Sequence, residues 1–154
     1  MYSTHMTQGI GDIDDALLRL RRLWAASRHR VVHDGTTPVE LSSLLVVEAC
    51  ARRTASGTEA NVSDVAALAD VTPSTASRLV DAAERAGLLA RRPSARSARQ
   101  TALVLTAAGA ALRARALTAR TAWLAEQLAD WDAADVTRFG ELLQRFADDV
   151  HDPR

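Results

Sequence analysis

The stretch NVSDVAALADVTPSTASRLVDAAERAG, residues 61–87, decides the fold. Asn61 with Asp64 three residues later marks a helix start: the amide caps free backbone N–H groups and the acid favours the positive end of the helix. Val65, Leu68 and Ala69 supply the buried stripe. The helix breaks around Asp70-Val71, and Thr72-Pro73 opens the next one, because Thr caps and Pro is preset for the first helical position. This second helix ends at Gly87. Within it Ala76, Leu79, Val80 and Ala83 recur at helical spacing, which leaves Ser74, Thr75, Ser77 and Arg78 near the exposed N-terminal end. Two helices of these lengths, joined by so short a turn, form a helix-turn-helix.

Downstream the helical period lapses. Leu88 to Arg92 and Thr101 to Leu105 are short enough to be the strands of a hairpin whose tip is Pro93 to Arg99. Thr106 then caps a long helix carrying Leu112, Leu117, Trp123, Leu124 and Leu128; it breaks near Trp131-Asp132 before a last helix with Val136, Phe139, Leu143, Phe146 and Val150. Upstream, Ile13, Leu17, Leu20 and Trp24 repeat at helical spacing while Arg19, Arg21, Arg22 and Arg28 fall elsewhere, so Asp12 to about His33 reads as an amphipathic helix stopped by Asp34-Gly35. Pro38 suits the first turn of the next helix. Val39 to about Arg53 follows, mostly buried around Leu41, Leu44, Leu45 and Val46. Met1 to Met6 is expected to hold residues ahead of the native start, His5-Met6 being a common junction.

The chain has 154 residues, 47% hydrophobic and 25% charged, which fits one globular domain and excludes a large multidomain enzyme. Its 19 basic residues, all Arg, balance 19 acidic ones, so affinity for a polyanion has to come from local charge. Residues 78–99 carry a net +4 and residues 126–154 a net −5, so the neutral total conceals a dipolar chain. Cys50 is the single cysteine, which excludes an intramolecular disulfide and fits a reducing compartment. Arg or Asp interrupts every apolar run, so no membrane contact is expected and the chain is read as cytoplasmic.

The positive segment coincides with the second helix and the hairpin. A helix N-terminus bearing Ser, Thr and Arg suits the major groove of double-stranded DNA, where Arg pairs bidentately with guanine and hydroxyls reach bases or phosphates. The plainer alternative is a solvated helix start, with Arg78, Asp81 and Arg85 as a surface ion ladder. Arg91 and Arg92 are adjacent in a strand, so only one can face a given partner.

From Asn61 to Gly109 the chain resembles the winged helix-turn-helix core of the MarR family of bacterial transcriptional regulators. Asn61-Val62-Ser63-Asp64-Val65-Ala66 is similar to the first helix of the motif, and Val71 to Val80 to its turn and recognition helix. Gly87-Leu88-Leu89 with Arg91-Arg92 resembles the start of the wing, and Leu105-Thr106-Ala107-Ala108-Gly109 the family's Leu-Thr-x-x-Gly at the head of the long helix. With the flanking helices the likeness spans about residues 11 to 150. Two departures stand out: Ser97-Ala98-Arg99 replaces the wing's usual Asp-x-Arg, and Asp70 replaces the usual Gly of the turn, a residue that tolerates a left-handed conformation.

The resemblance implies a mainly α fold with a small β-hairpin wing, a winged helix-turn-helix core flanked by dimerisation helices. In this reading residues 1–154 form a single MarR-like domain, with a DNA-binding lobe at 36–105 and helical dimerisation regions at 11–34 and 106–150. It implies base or phosphate contacts from Thr72, Ser74, Thr75, Ser77 and Arg78, wing contacts from Ser94, Arg96 and Arg99, and support of the motif by Asn61 and Ser63. It further implies a homodimer whose first and last helices interlock, setting half-sites of a pseudo-palindrome about one turn, roughly 34 Å, apart. Such regulators typically repress, and a small-molecule effector between the dimerisation helices and the lobe loosens DNA binding. Trp24 and Trp123 are candidates to line that pocket, the alternative being that they and Trp131 pack helix junctions.

No cofactor is expected. His29 and His33 share the i, i+4 spacing of metal ligands beside Asp34, against the simpler reading of a solvated helix C-terminus favoured by its dipole. Cys50 reads as a small core residue and does not match the first-helix cysteine of the family's peroxide sensors. No paired carboxylates, nucleophile-base motif or phosphate loop suggests an enzyme. The competing class is a helical dimerisation or adaptor protein whose winged domain binds protein.

Overall fold

The structure, a computed structural model, describes residues 2–27, 41–97 and 100–151. Its elements are α1 (Tyr2–Ser27), α2 (Leu41–Ala55), α3 (Val62–Ala69), α4 (Pro73–Arg85), β1 (Leu89–Pro93), β2 (Thr101–Leu105), α5 (Ala107–Gln127) and α6 (Ala133–His151). They fall into two compact units, residues 1–116 and 117–154. The chain is thus mainly α with a two-stranded hairpin, as the pattern of periods predicts. The first helix departs most from expectation: it starts ten residues before Asp12, because the polar opening residues continue the same helix. His29, His33, Asp34 and Pro38 lie outside the described residues.

Each local signal in residues 61–87 acts as its chemistry dictates. Asn61 Oδ1 accepts from the backbone N–H of Ser63 at 2.8 Å and of Asp64 at 3.2 Å, while Asp64 Oδ2 accepts from Asn61 N–H at 2.8 Å, closing a capping box. The other oxygen of Asp64 takes Arg53 Nε at 3.0 Å and so ties α3 to the last turn of α2. Asp70 ends α3 in the left-handed region, φ 50°, with its N–H donating to Ala66 O. After α4, Gly87 takes φ 72°; Gly87 N–H bonds Glu84 O and Leu88 N–H bonds Ala83 O, a Schellman ending that turns the chain into β1.

The core of the first unit is built from α2, α3, α4 and the hairpin: Val46, Ala49, Cys50, Val65, Ala76, Val80, Ala83, Leu89 and Leu103 are buried together. Burial pushes the Cys50 thiol up to about 11, with the nearby Asp64 charge adding to it, so it is an inert packing residue. β1 and β2 are antiparallel with Leu89 opposite Leu105 and Pro93 opposite Thr101, and Ala60 bridges to Leu103 as a third short rung. In the second unit, Asp132 starts α6 by accepting from Ala134 N–H at 3.2 Å, and Trp131 stacks obliquely on Phe139 at 5.5 Å. Leu128 falls just beyond α5 rather than on it.

α5 is fastened to α2 by charge. Glu48 accepts Arg113 Nε at 3.1 Å and Nη2 at 3.4 Å, and Arg52 Nε at 3.3 Å. Burial opposes ionisation of Glu48, but the bonds and charges of Arg113, then Arg52, outweigh it and hold the carboxyl below its ordinary 4.5. A carboxyl with a depressed folded-state pKa stabilises the fold above its unfolded pKa, and that contribution fades as pH falls through the folded value. Glu48→Gln is therefore expected to lose about 1–2 kcal/mol at neutral pH, the gap to wild type closing in urea titrations as pH falls through the lowered carboxyl titration. A gap constant with pH would remove charge from the explanation.

Candidate nucleic-acid interface

The free end of α4 is a cluster of hydroxyls. Thr72 sits at the cap with extended backbone; its Oγ1 accepts from Thr75 N–H at 3.3 Å and lies 3.0 Å from both Ser74 Oγ and Thr75 Oγ1. All three side chains are exposed, and Pro73 occupies the first turn, where its missing N–H costs nothing. Arg78 is exposed one turn further on and takes part in none of the ion pairs among the described residues. Ser77 follows buried Ala76 and is only half-exposed, so it is less accessible than the spacing suggests. Asn61 and Ser63 act through the α3 cap, one by its side chain and the other by its backbone.

The ion ladder weighed for Arg78, Asp81 and Arg85 does not form. Asp81 instead accepts from Arg91 Nη2 at 2.6 Å, and Arg91 Nη1 pairs with Glu84. Alternation along β1 puts Arg91 on the side of Leu89, toward α4, and Arg92 on the exposed side. Hydrogen bonding to Asp81 is the largest influence raising the Arg91 pKa, and burial only partly offsets it. Arg91 therefore braces α4 against the wing, and Arg92 is the strand cation facing solvent.

At the wing, Arg96 is exposed while Ser94 is half-buried, its hydroxyl donating to Glu59 on the loop between α2 and α3. Arg99 lies outside the described residues. Glu59 escaped the sequence reading: it sits 35 residues from Ser94, and an isolated Thr58-Glu59-Ala60 carries no local signal. The same holds for Arg53 on Asp64 and Arg91 on Asp81. Trp123 is 40% exposed on the second half of α5, and the side chain of Trp24, on α1, lies outside the described part.

The MarR family pattern matches residues 34–100, which embrace α2, α3, α4 and β1. Over those residues the chain is similar to the MarR family. Among solved structures, a MarR family protein from Bacillus stearothermophilus superposes with a TM-score of 0.76 at 15% identity, covering 94% of this chain and 97% of that one. BpsR of Bordetella bronchiseptica, whose DNA binding is regulated by 6-hydroxynicotinic acid, gives 0.64 at 15% identity over 88% and 98%. CouR of Rhodococcus jostii, solved with p-coumaroyl-CoA, gives 0.68 at 22% identity over 93% and 94%. At these identities the likeness is one of fold. No curated protein sequence matches the chain. Asp70, at φ 50°, stands where the family usually has Gly, and so keeps a left-handed residue at the turn. Among the described residues no helix is long and apolar enough to cross a membrane, and no group of His, Cys, Asp and Glu is placed to hold a metal.

Proposed function

We propose that this chain is a regulator of the MarR type: a homodimeric, cytoplasmic, sequence-specific repressor that binds double-stranded DNA at a pseudo-palindromic operator and is released by a small-molecule effector. The observation that carries the reading is the exposed end of α4: Thr72, Ser74 and Thr75 hydroxyls with an uncommitted Arg78, beside a hairpin that presents Arg92 and Arg96. Hydroxyls and a helix N-terminus suit phosphates and base edges, and Arg78 suits guanine. In this reading residues 36–105 are the DNA-binding lobe, with Ser77, Ser94 and Arg99 completing its contacts, and 11–34 with 106–150 form the dimer. The regulation reported for BpsR supports an effector, for which Trp24 and Trp123 are the proposed lining.

The test is fluorescence anisotropy on duplexes from the gene's own upstream region, across a salt series, with unrelated duplex as competitor. Arg78→Ala is expected to lower discrimination at one guanine position by roughly 10-fold or more. Arg99→Ala is expected to weaken binding to all sequences alike and reduce the salt slope by about one. Unchanged affinity in both variants would sink the contact surface, and salt-insensitive capture of a protein partner without DNA affinity would favour the adaptor instead.

A further inference from the structure

We propose that Glu59 is a positioning residue for DNA binding: from outside the wing, its carboxylate sets the conformation of residues 94–96 and hence the placement of Arg96. The inference rests on the DNA-binding reading above. The loop Ser94-Ala95-Arg96-Ser97-Ala98-Arg99-Gln100 has two cations and no acid of its own. Its backbone is closed by Ser94 N–H on Gln100 O at 2.9 Å and Gln100 N–H on Ser97 O at 3.0 Å. Glu59 adds a hold from another element. One oxygen accepts from the Ser94 hydroxyl and the other from Ala95 N–H at 2.8 Å, while Ser94 Oγ in turn accepts from Arg96 N–H at 3.1 Å.

The hook has a fixed base. Ala60, the next residue, accepts Leu103 N–H at 2.8 Å through its carbonyl, so residues 59–60 grip the hairpin at its middle and at the start of its loop. Thr58 on the other side is bonded back to Arg53 O at 3.0 Å by both its N–H and its hydroxyl. The Ser94 hydroxyl first, then Ala95 N–H and the charge of Arg96, hold the Glu59 carboxyl below its usual range, so it is ionised at neutral pH. An anion beside a phosphate-facing loop opposes DNA by Coulomb's law. Its two short bonds to the loop act the other way, by fixing the loop before DNA arrives. The two effects have opposite signs on removal, which makes the role testable.

The experiment measures operator affinity of wild type, Glu59→Ala, Glu59→Gln, Ser94→Ala and the Glu59→Ala/Ser94→Ala double variant, together with hydrogen exchange at the Ala95 and Arg96 amides of the free proteins. Glu59→Ala is expected to weaken binding roughly 10-fold although it deletes a negative charge, and to speed exchange at Ala95 by a similar factor. Glu59→Gln keeps an acceptor for Ala95 N–H and recovers most of both losses, and the Ala95 amide of the double variant exchanges no faster than that of Glu59→Ala alone. Affinity equal to or tighter than wild type in Glu59→Ala overturns the proposal, whether or not exchange accelerates. Wild type binding no duplex would overturn the DNA-binding reading first, and this proposal with it.

Discussion

Gly109→Ala is expected to destabilise the first unit by about 3 kcal/mol or more, at the upper end of what overpacking costs. A Cβ at Gly109 would stand 2.0 Å from the carbonyl oxygen of Leu88 and 3.0 Å from its carbon, both backbone atoms with no flexible end to swing aside. The backbone there is also committed. Leu88 O accepts Thr106 N–H at 3.1 Å, while Thr106 Oγ1 donates to Gly87 O at 2.6 Å and accepts Gly109 N–H at 3.1 Å. Moving α5 away to make room therefore breaks the joint between the end of α4 and the start of α5. Ordinary helix propensity predicts the opposite sign, because Ala is favoured over Gly by about 1 kcal/mol in a helix interior. Gly140, in α6 with nothing within 4 Å of its missing Cβ, supplies the control: Gly140→Ala is expected to stabilise slightly. Urea midpoints that rise in both variants would mean that the crossing at Leu88 is not tight.

The same joint shows what the sequence can and cannot disclose. Thr106 is legible as a cap and Leu105-Thr106-Ala107-Ala108-Gly109 as a motif, but that Gly109 is there to let a carbonyl approach needs the position of Leu88, on another element. Helices α3 and α4 were legible almost to the residue, since caps, breakers and apolar spacing all act within a few positions: Asn61, Asp70, Thr72, Pro73 and Gly87 each do locally what their side chains allow. The hairpin was legible for the same reason. Charge was not. Spacing offers Asp81 partners three and four residues away, Arg78 and Arg85, but it pairs instead with Arg91, ten away across a turn. Glu59 reaches Ser94 with no pattern linking them. Local rules say that only one of Arg91 and Arg92 can face a given partner but not which, whereas folding withdraws Arg91 to brace α4 and leaves Arg78 outside the ion pairs of the described residues.

Placing two carboxylates on α6, Leu143→Glu with Phe146→Glu, is expected to yield a monomer whose lobe is folded and whose operator affinity falls 100-fold or more. Phe139, Leu143, Phe146 and Val150 recur at helical spacing on α6 and are each at least 42% exposed in the single chain. Met6, Ile10, Ile13, Leu17 and Leu20 do the same on α1, at 42% exposure or more. Burying a side chain of this size stabilises by about 1.5–3 kcal/mol, and two such stripes in water are what a second copy of the chain would cover. The buried cluster of the lobe draws only on residues 46–103, so the substitutions leave it intact and circular dichroism should report unchanged helix. In the proposed dimer the second α4 would engage at an effective concentration far above the free one, whereas a monomer would have only one half-site's contacts. Sedimentation equilibrium and anisotropy on the same samples decide the matter. A double variant that remains dimeric would move the interface off α6, and a monomer with wild-type affinity would leave the two-fold operator without a basis.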